Sequence, residues 1–152
     1  MAEEDASKFP SAADYGRSLK GFGVNLLVGD IARTLPFLTE VLGIQLRHRA
    51  DGFAVLSYQG CQWMLHEDST YHSNPLLGLT GDGAIRGIGV ELRLYNIDPD
   101  EAEARAREGG YTVLQGSTNK PHGLRECYLV DPDGYVWVPG VAIGDEKLPK
   151  SQ

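Results

Sequence analysis

The order strand, capped helix, strand, strand, strand runs through this chain twice, and that repetition limits the possible folds more tightly than any single motif. In the first copy, Val24, Leu26 and Val28 alternate with Gly23, Asn25 and Leu27, the period of a strand with two distinct faces. Asp30 follows as an N-cap candidate. The stretch IARTLPFLTEVLG then reads as a helix ending at Gly43, with Ile31, Leu35, Leu38, Val41 and Leu42 on its apolar stripe. Pro36 falls inside it and deletes one backbone hydrogen bond, which predicts a bend or a short first turn. Strands are expected at 44–48, 53–58 and 61–66, separated by the turn pairs Asp51-Gly52 and Gln59-Gly60.

The second copy opens with GVELRLY, in which Val90, Leu92 and Leu94 share a face. Asp98-Pro99 starts a helix, since Asp caps and Pro fits the first helical position. EAEARAREGG continues it with Glu101–Arg105 and Glu103–Arg107 spaced for ion pairs and stops at Gly109-Gly110. Its apolar face holds only alanine, so the helix should lie close on its sheet. Strands are expected at 111–114, 124–130 and 135–139. The last two form RECYLVDPDGYVWVPG, where Asp131-Pro132-Asp133-Gly134 has turn chemistry at every position. Its flanks place Cys127, Leu129 and Trp137 on one side and Glu126, Tyr128, Val136 and Val138 on the other. A hairpin apolar on both sides packs one face and lines a cavity with the other.

The chain divides into a polar arm (1–20), a first module (21–66), a linker (67–87), a second module (88–142) and a tail (143–152). The arm is expected to be loose. With 152 residues, 41% hydrophobic and 23% charged, the sequence has the make-up of an ordinary globular domain. No run approaches the roughly 18 to 20 apolar residues that span a bilayer. A net charge of −7 without a basic stripe argues against nucleic acid as a partner. The acidic start, MAEEDASKFP, lacks a basic-then-apolar leader pattern, and Cys61 and Cys127 form no CxxC. A cytoplasmic protein with reduced thiols is expected.

With VNLLVGD and FLTEVLG in the first half, and GVELRLY and the REC-x-L-x-DPDGY-x-W run in the second, residues 20 to 142 resemble the vicinal-oxygen-chelate superfamily. This is the group of glyoxalases, bleomycin-resistance proteins and extradiol dioxygenases. The resemblance implies an α+β fold of paired βαβββ modules, with curved mixed sheets around a cup and helices outside. It also implies a small-molecule ligand and a homodimer, which would cover the open sheet edges. Metal-dependent members carry ligands on the first and last strands of each half. Those positions here hold Gly23, Met64, Glu91 and Val138, of which only Glu91 is a metal-binding type. No metal and no other cofactor is therefore expected, although His66, Glu91 and Glu126 share the parity a displaced triad would need. His48, His72 and His122 fall in or near loops and read as solvated.

By alternation, the residues facing the cup are Asn25, Leu27, Gln62, Met64 and His66 from the first half. From the second half they are Glu91, Arg93, Tyr95, Glu126, Tyr128, Val136 and Val138. Apolar walls, rings and a few polar groups are the usual make-up of a ligand pocket. Trp63 and Trp137 have the opposite parity and read as packing. If Arg93 serves only one of Glu91 and Glu126, the other carboxylate favours a cationic ligand, with a tyrosine ring offering its face. The expected function is thus metal-independent binding of an aromatic or cationic compound. The alternative is a lyase, isomerase or oxygenase of the same superfamily with a displaced metal; no catalytic residue is assigned.

Overall fold

A computed structural model of the chain describes residues 9–70, 73–81 and 83–150. The expected α+β architecture is present, with two four-stranded mixed sheets of identical topology. The residues group into two compact units. Among the described residues, one contains those up to Ile31 together with those of 44–74, and the other contains Ala32–Gly43 together with those from Pro75 onwards. Most of the first half's helix is therefore counted with the second unit. None of the described helices is long and apolar enough to cross a membrane.

In the first unit, β1 (Asn25–Val28) runs parallel to β4 (Cys61–Glu67). β3 (Phe53–Tyr58) and β2 (Gln45–Ala50) then add antiparallel, giving the order β1-β4-β3-β2. The turn pairs act as their chemistry requires: Gly52 and Gly60 take positive φ, and Gln59 joins them at 45°. Leu26, Val28, Ala54, Leu56 and Leu65 are buried. The arm read as loose contains a short helix, α1 (Ala12–Ser18), capped by the Ser11 hydroxyl accepting from Asp14 N–H. Its seven residues have no hydrophobic periodicity to announce them. Tyr15 is the one buried residue of α1, and burying a side chain of that size contributes only about 1.5–3 kcal/mol.

In the second unit, β5 (Glu91–Tyr95) runs parallel to β8 (Val136–Ala142), followed by antiparallel β7 (Leu124–Val130) and β6 (Thr112–Asn119). β6 reaches Asn119 rather than ending near Leu114, because two register shifts let it follow β7 to its start. The helix α3 (Pro99–Glu108) begins as expected. Asp98 accepts from Asp100 and Glu101 N–H, and Ala102 and Ala106 are fully buried beneath it.

The helix α2 (Ile31–Pro36) continues as a π-helical turn over Phe37–Val41, the local consequence of Pro36. Pro36 has no N–H to donate, and the Leu35 carbonyl accepts from the Thr39 hydroxyl at 2.9 Å. The ladder is thereby shifted, and Leu42 N–H reaches Phe37 O at 3.3 Å. At its other end, Ile31 N–H donates to the Glu67 carboxylate at 2.9 Å, a cap supplied from β4. Phe37 packs edge-on against Tyr111, and Arg105 donates to the Val41 carbonyl at 2.9 Å.

The Asp131–Gly134 turn is a buried socket rather than a surface loop. One carboxylate oxygen of Asp131 accepts from Asp133 and Tyr135 N–H, and the other from the Trp137 indole at 3.0 Å. Asp133 accepts from the Thr34 hydroxyl at 2.7 Å and from Arg33 at 3.2 Å, fixing α2 to the turn. Burial raises the Asp131 carboxyl to about 6 even though these N–H donors favour its charged form.

Candidate functional site

On the second unit, the pairing register sets Glu91 beside Val136 and Arg93 beside Val138, with Glu126 across from Gly140. Arg93 is the hub of this face. Its Nη1 donates to Glu91 at 3.0 Å and its Nη2 to Glu126, which is fully buried. Burial works against the Arg93 charge, but the bonds to both carboxylates more than offset it and raise its pKa. Hydrogen bonds from Tyr128 and Arg93 hold Glu91 below the usual carboxylate range. Burial and the nearby Glu91 push the Tyr128 hydroxyl up. The guanidinium also lies 5.9 Å from the centre of the Tyr95 ring, which is half exposed.

Arg93 bonds both carboxylates rather than one, although its single positive charge offsets only one of their two negative charges. One guanidinium presents a nitrogen to each, as its forked geometry permits. Around this hub lies an open hollow of about 640 Å³, within the usual range for ligand pockets. Val90, Leu114 and Val136 give it apolar walls, and Tyr128 contributes a ring. Val138 and Glu126 are sealed from solvent.

Alternation does not reveal two further residues of this face, because both lie in the turn after β6. His122 Nε2 sits 3.3 Å from Glu126 Oε2, so this histidine is half exposed and partnered rather than simply solvated. Lys120 stands 5.6 Å over the Tyr128 ring. The bonds Lys120 N–H to Leu124 O and Gly123 N–H to Lys120 O close the turn that brings them there. A two-residue period carries no information about side chains presented by a turn.

On the first unit, Asn25 pairs with Met64 and Leu27 with His66. His66 Nδ1 lies 2.5 Å from Asn25 Oδ1, an acceptor, which places the ring hydrogen on Nδ1. Burial lowers the His66 pKa, so the neutral ring is favoured. Leu27 is buried, while Met64 and Gln62 line a hollow of about 290 Å³ together with Tyr15, Phe22 and Trp63. Gln62 accepts from the Tyr15 hydroxyl at 3.3 Å. His48, read as a loop histidine, lies on β2 with the Phe9 ring stacked on it at 3.9 Å. His72 lies outside the described residues.

The donor chemistry does not fit the metal of the metal-dependent relatives. Gly23 has no side chain and Val138 has no donor atom, while Glu91 and Glu126 are both engaged by Arg93. Among the described residues, no group of three or more His, Cys, Asp or Glu side chains is placed to hold an ion. Arg93 engages both carboxylates that a displaced triad would use.

Solved structures share this architecture at low sequence identity. A glyoxalase/bleomycin resistance protein/dioxygenase from Nocardioides matches 92% of this chain and 97% of its own, with a TM-score of 0.61 and 20% identity. A glyoxalase-related enzyme from Fulvimarina pelagi covers 88% of this chain and 99% of its own, at a TM-score of 0.64 and 18% identity. TioX from Micromonospora sp. ML1 covers 81% of this chain and all of its own, at a TM-score of 0.61 and 22% identity. No curated protein matches the sequence closely. The sequence pattern of one superfamily spans residues 23–138, which include the first sheet, most of the second and the socket. The chain belongs to the glyoxalase/bleomycin resistance protein/dioxygenase superfamily.

Proposed function

We propose that this protein is a metal-independent binder of a small, uncharged aromatic compound, acting as a cytoplasmic homodimer. The observation that carries this reading is the hub on the second unit. Arg93 engages Glu91 and Glu126 together, so a cationic ligand has to compete with it for either carboxylate. Beside that hub, the hollow opens apolar wall and the Tyr128 ring to a ligand. Such a surface favours flat apolar molecules, whose burial scales with the area removed from water.

The test is a calorimetric titration with 2-naphthol and with the cation 2-naphthylmethylammonium. The neutral compound should bind the unmodified protein at least as tightly as the cation. Leu114→Asp, which places a charge in the wall, should abolish binding of the neutral compound. A clear preference for the cation, or binding unaffected by Leu114→Asp, overturns the reading. Metal independence is checked by elemental analysis of protein purified without affinity resin: one zinc, iron, manganese or nickel ion per chain is the contrary result. Sedimentation velocity at micromolar concentration tests the dimer.

A second reading, an enzyme of the same superfamily, draws on His122. A half-exposed imidazole beside a buried carboxylate is an arrangement suited to proton transfer. It requires turnover in a lyase, isomerase or oxygenase screen that disappears in His122→Ala.

A further inference from the structure

The segment from Phe9 to Ser18 lies on the sheet face of the first unit through Phe9 and Tyr15. Phe53 and His66 are register partners on β3 and β4, with rings 4.8 Å apart, and the His48 ring of β2 lies 6.1 Å from Phe53. Three strands thus present a continuous tier of rings. The Phe9 ring lies flat on His48, 3.9 Å away with an interplanar angle of 5°. Tyr15 meets Phe53 edge-on at 6.5 Å and donates its hydroxyl to Gln62. Phe9 and Tyr15 also touch each other, with ring centres 5.0 Å apart and a tilt of 42°.

We infer that this ring tier is a binding site for a two-ring phenolic compound, held in the free protein by Phe9 and Tyr15 as an internal surrogate. The surrogate defines the ligand class. One ring stacks on an imidazole, and a second, tilted ring carries a hydroxyl that donates to an amide oxygen. The segment is built to be displaced. Tyr15 is the single buried residue of α1, and every other residue of that helix is exposed. An element held by so few buried contacts opens at low cost. The remainder of the sheet is fixed by its own ladder and keeps its shape when the segment leaves. This inference rests on the reading that the sheet faces bind small aromatic molecules. It adds a second site, and a built-in competitor, to the hollow on the other unit.

The experiment uses the full chain and 4-phenylphenol as probe. In the unmodified protein, one molecule binds at the second unit, and binding to the ring tier is weaker because the segment must first be displaced. The double variant Phe9→Ala/Tyr15→Ala removes the surrogate, so a second molecule should bind at least tenfold more tightly than in the unmodified chain. Gln62→Leu in that background should reverse much of the gain for 4-phenylphenol but not for biphenyl, which has no hydroxyl. As a check independent of the variants, saturating probe should speed tryptic cleavage after Arg17 in the unmodified protein by releasing α1. An unchanged stoichiometry in the double variant, with unchanged cleavage, overturns the inference even where Leu114→Asp confirms the other site. Loss of the first site's binding response to Leu114→Asp overturns the broader reading instead.

Discussion

Arg93 donates to the carboxylate of Glu126, which has no exposed surface, while the guanidinium itself keeps about a quarter of its side-chain area in solvent. Removing the cation leaves a buried carboxylate with only His122 and the Tyr128 hydroxyl as neighbours, and breaking a buried pair in this way typically costs about 3–5 kcal/mol. Arg93→Met should therefore lower the unfolding free energy by that amount in urea titrations. Arg93→Met/Glu126→Leu should recover most of it, because two well-packed apolar side chains leave no charge behind. A double variant as unstable as the single one would show that the pair is structurally irreplaceable.

The socket at Asp131 makes stability depend on pH with a defined sign. Its carboxyl is raised from 3.8 to about 6 in the folded protein, so the folded state holds this proton more tightly than the unfolded chain does. The resulting stabilisation is fully present below pH 3.8 and is lost as the pH rises through 6. Two pKa units amount to about 3 kcal/mol. Asp131→Asn cannot titrate, so the stability of the unmodified protein relative to it should increase as the pH falls from 7 to 4. Unfolding curves of both proteins at matched pH values measure the difference and cancel the other titrating groups.

Thr34 and Asp133 give a second probe of the same socket. The hydroxyl and the carboxylate it serves are both buried. Thr34→Val preserves the shape but leaves Asp133 one donor short, which should cost about 1–3 kcal/mol. Thr34→Ser keeps the donor and should cost markedly less. Equal losses in thermal denaturation would assign the effect to packing rather than to the hydrogen bond.

Gly134 has a φ of +90°, and an added Cβ would approach Ile85 Cγ2 to 2.9 Å and the Ile85 backbone to 3.0 Å. Gly134→Ala therefore combines conformational strain with overpacking, each on the order of 1–3 kcal/mol. The variant should melt well below the parent by circular dichroism while keeping the same spectrum at low temperature.

Much of the fold was legible because strand and helix signals repeat with the periods that burial imposes. The strands at 53–58 and 124–130 begin and end where alternation and turn residues place them. The alanine face of α3 likewise predicts its close approach to the sheet. The short helix at Tyr15 was not legible, since one buried ring in seven residues leaves no stripe to read. Nor did the strand pattern show that Arg93 reaches both carboxylates. Parity places Glu91, Arg93 and Glu126 on one face, but which partner a long side chain chooses depends on distances that alternation does not encode. His122 escaped for a related reason: turn geometry, not strand period, carries it to Glu126.

The contact between Thr34 and Asp133 joins residues 99 positions apart in a protein whose two halves repeat the same plan. Repeated halves invite the exchange of one half for a counterpart from a relative, by recombination near the middle of a gene. Here such a cross would separate the helix at 32–43 from the turn that grips it. Chimaeras made by joining halves of relatives should express as soluble protein only when the incoming turn carries an acidic residue opposite a hydroxyl at the position of Thr34. The pair thus acts as a hereditary lock, keeping two distant stretches of the gene together.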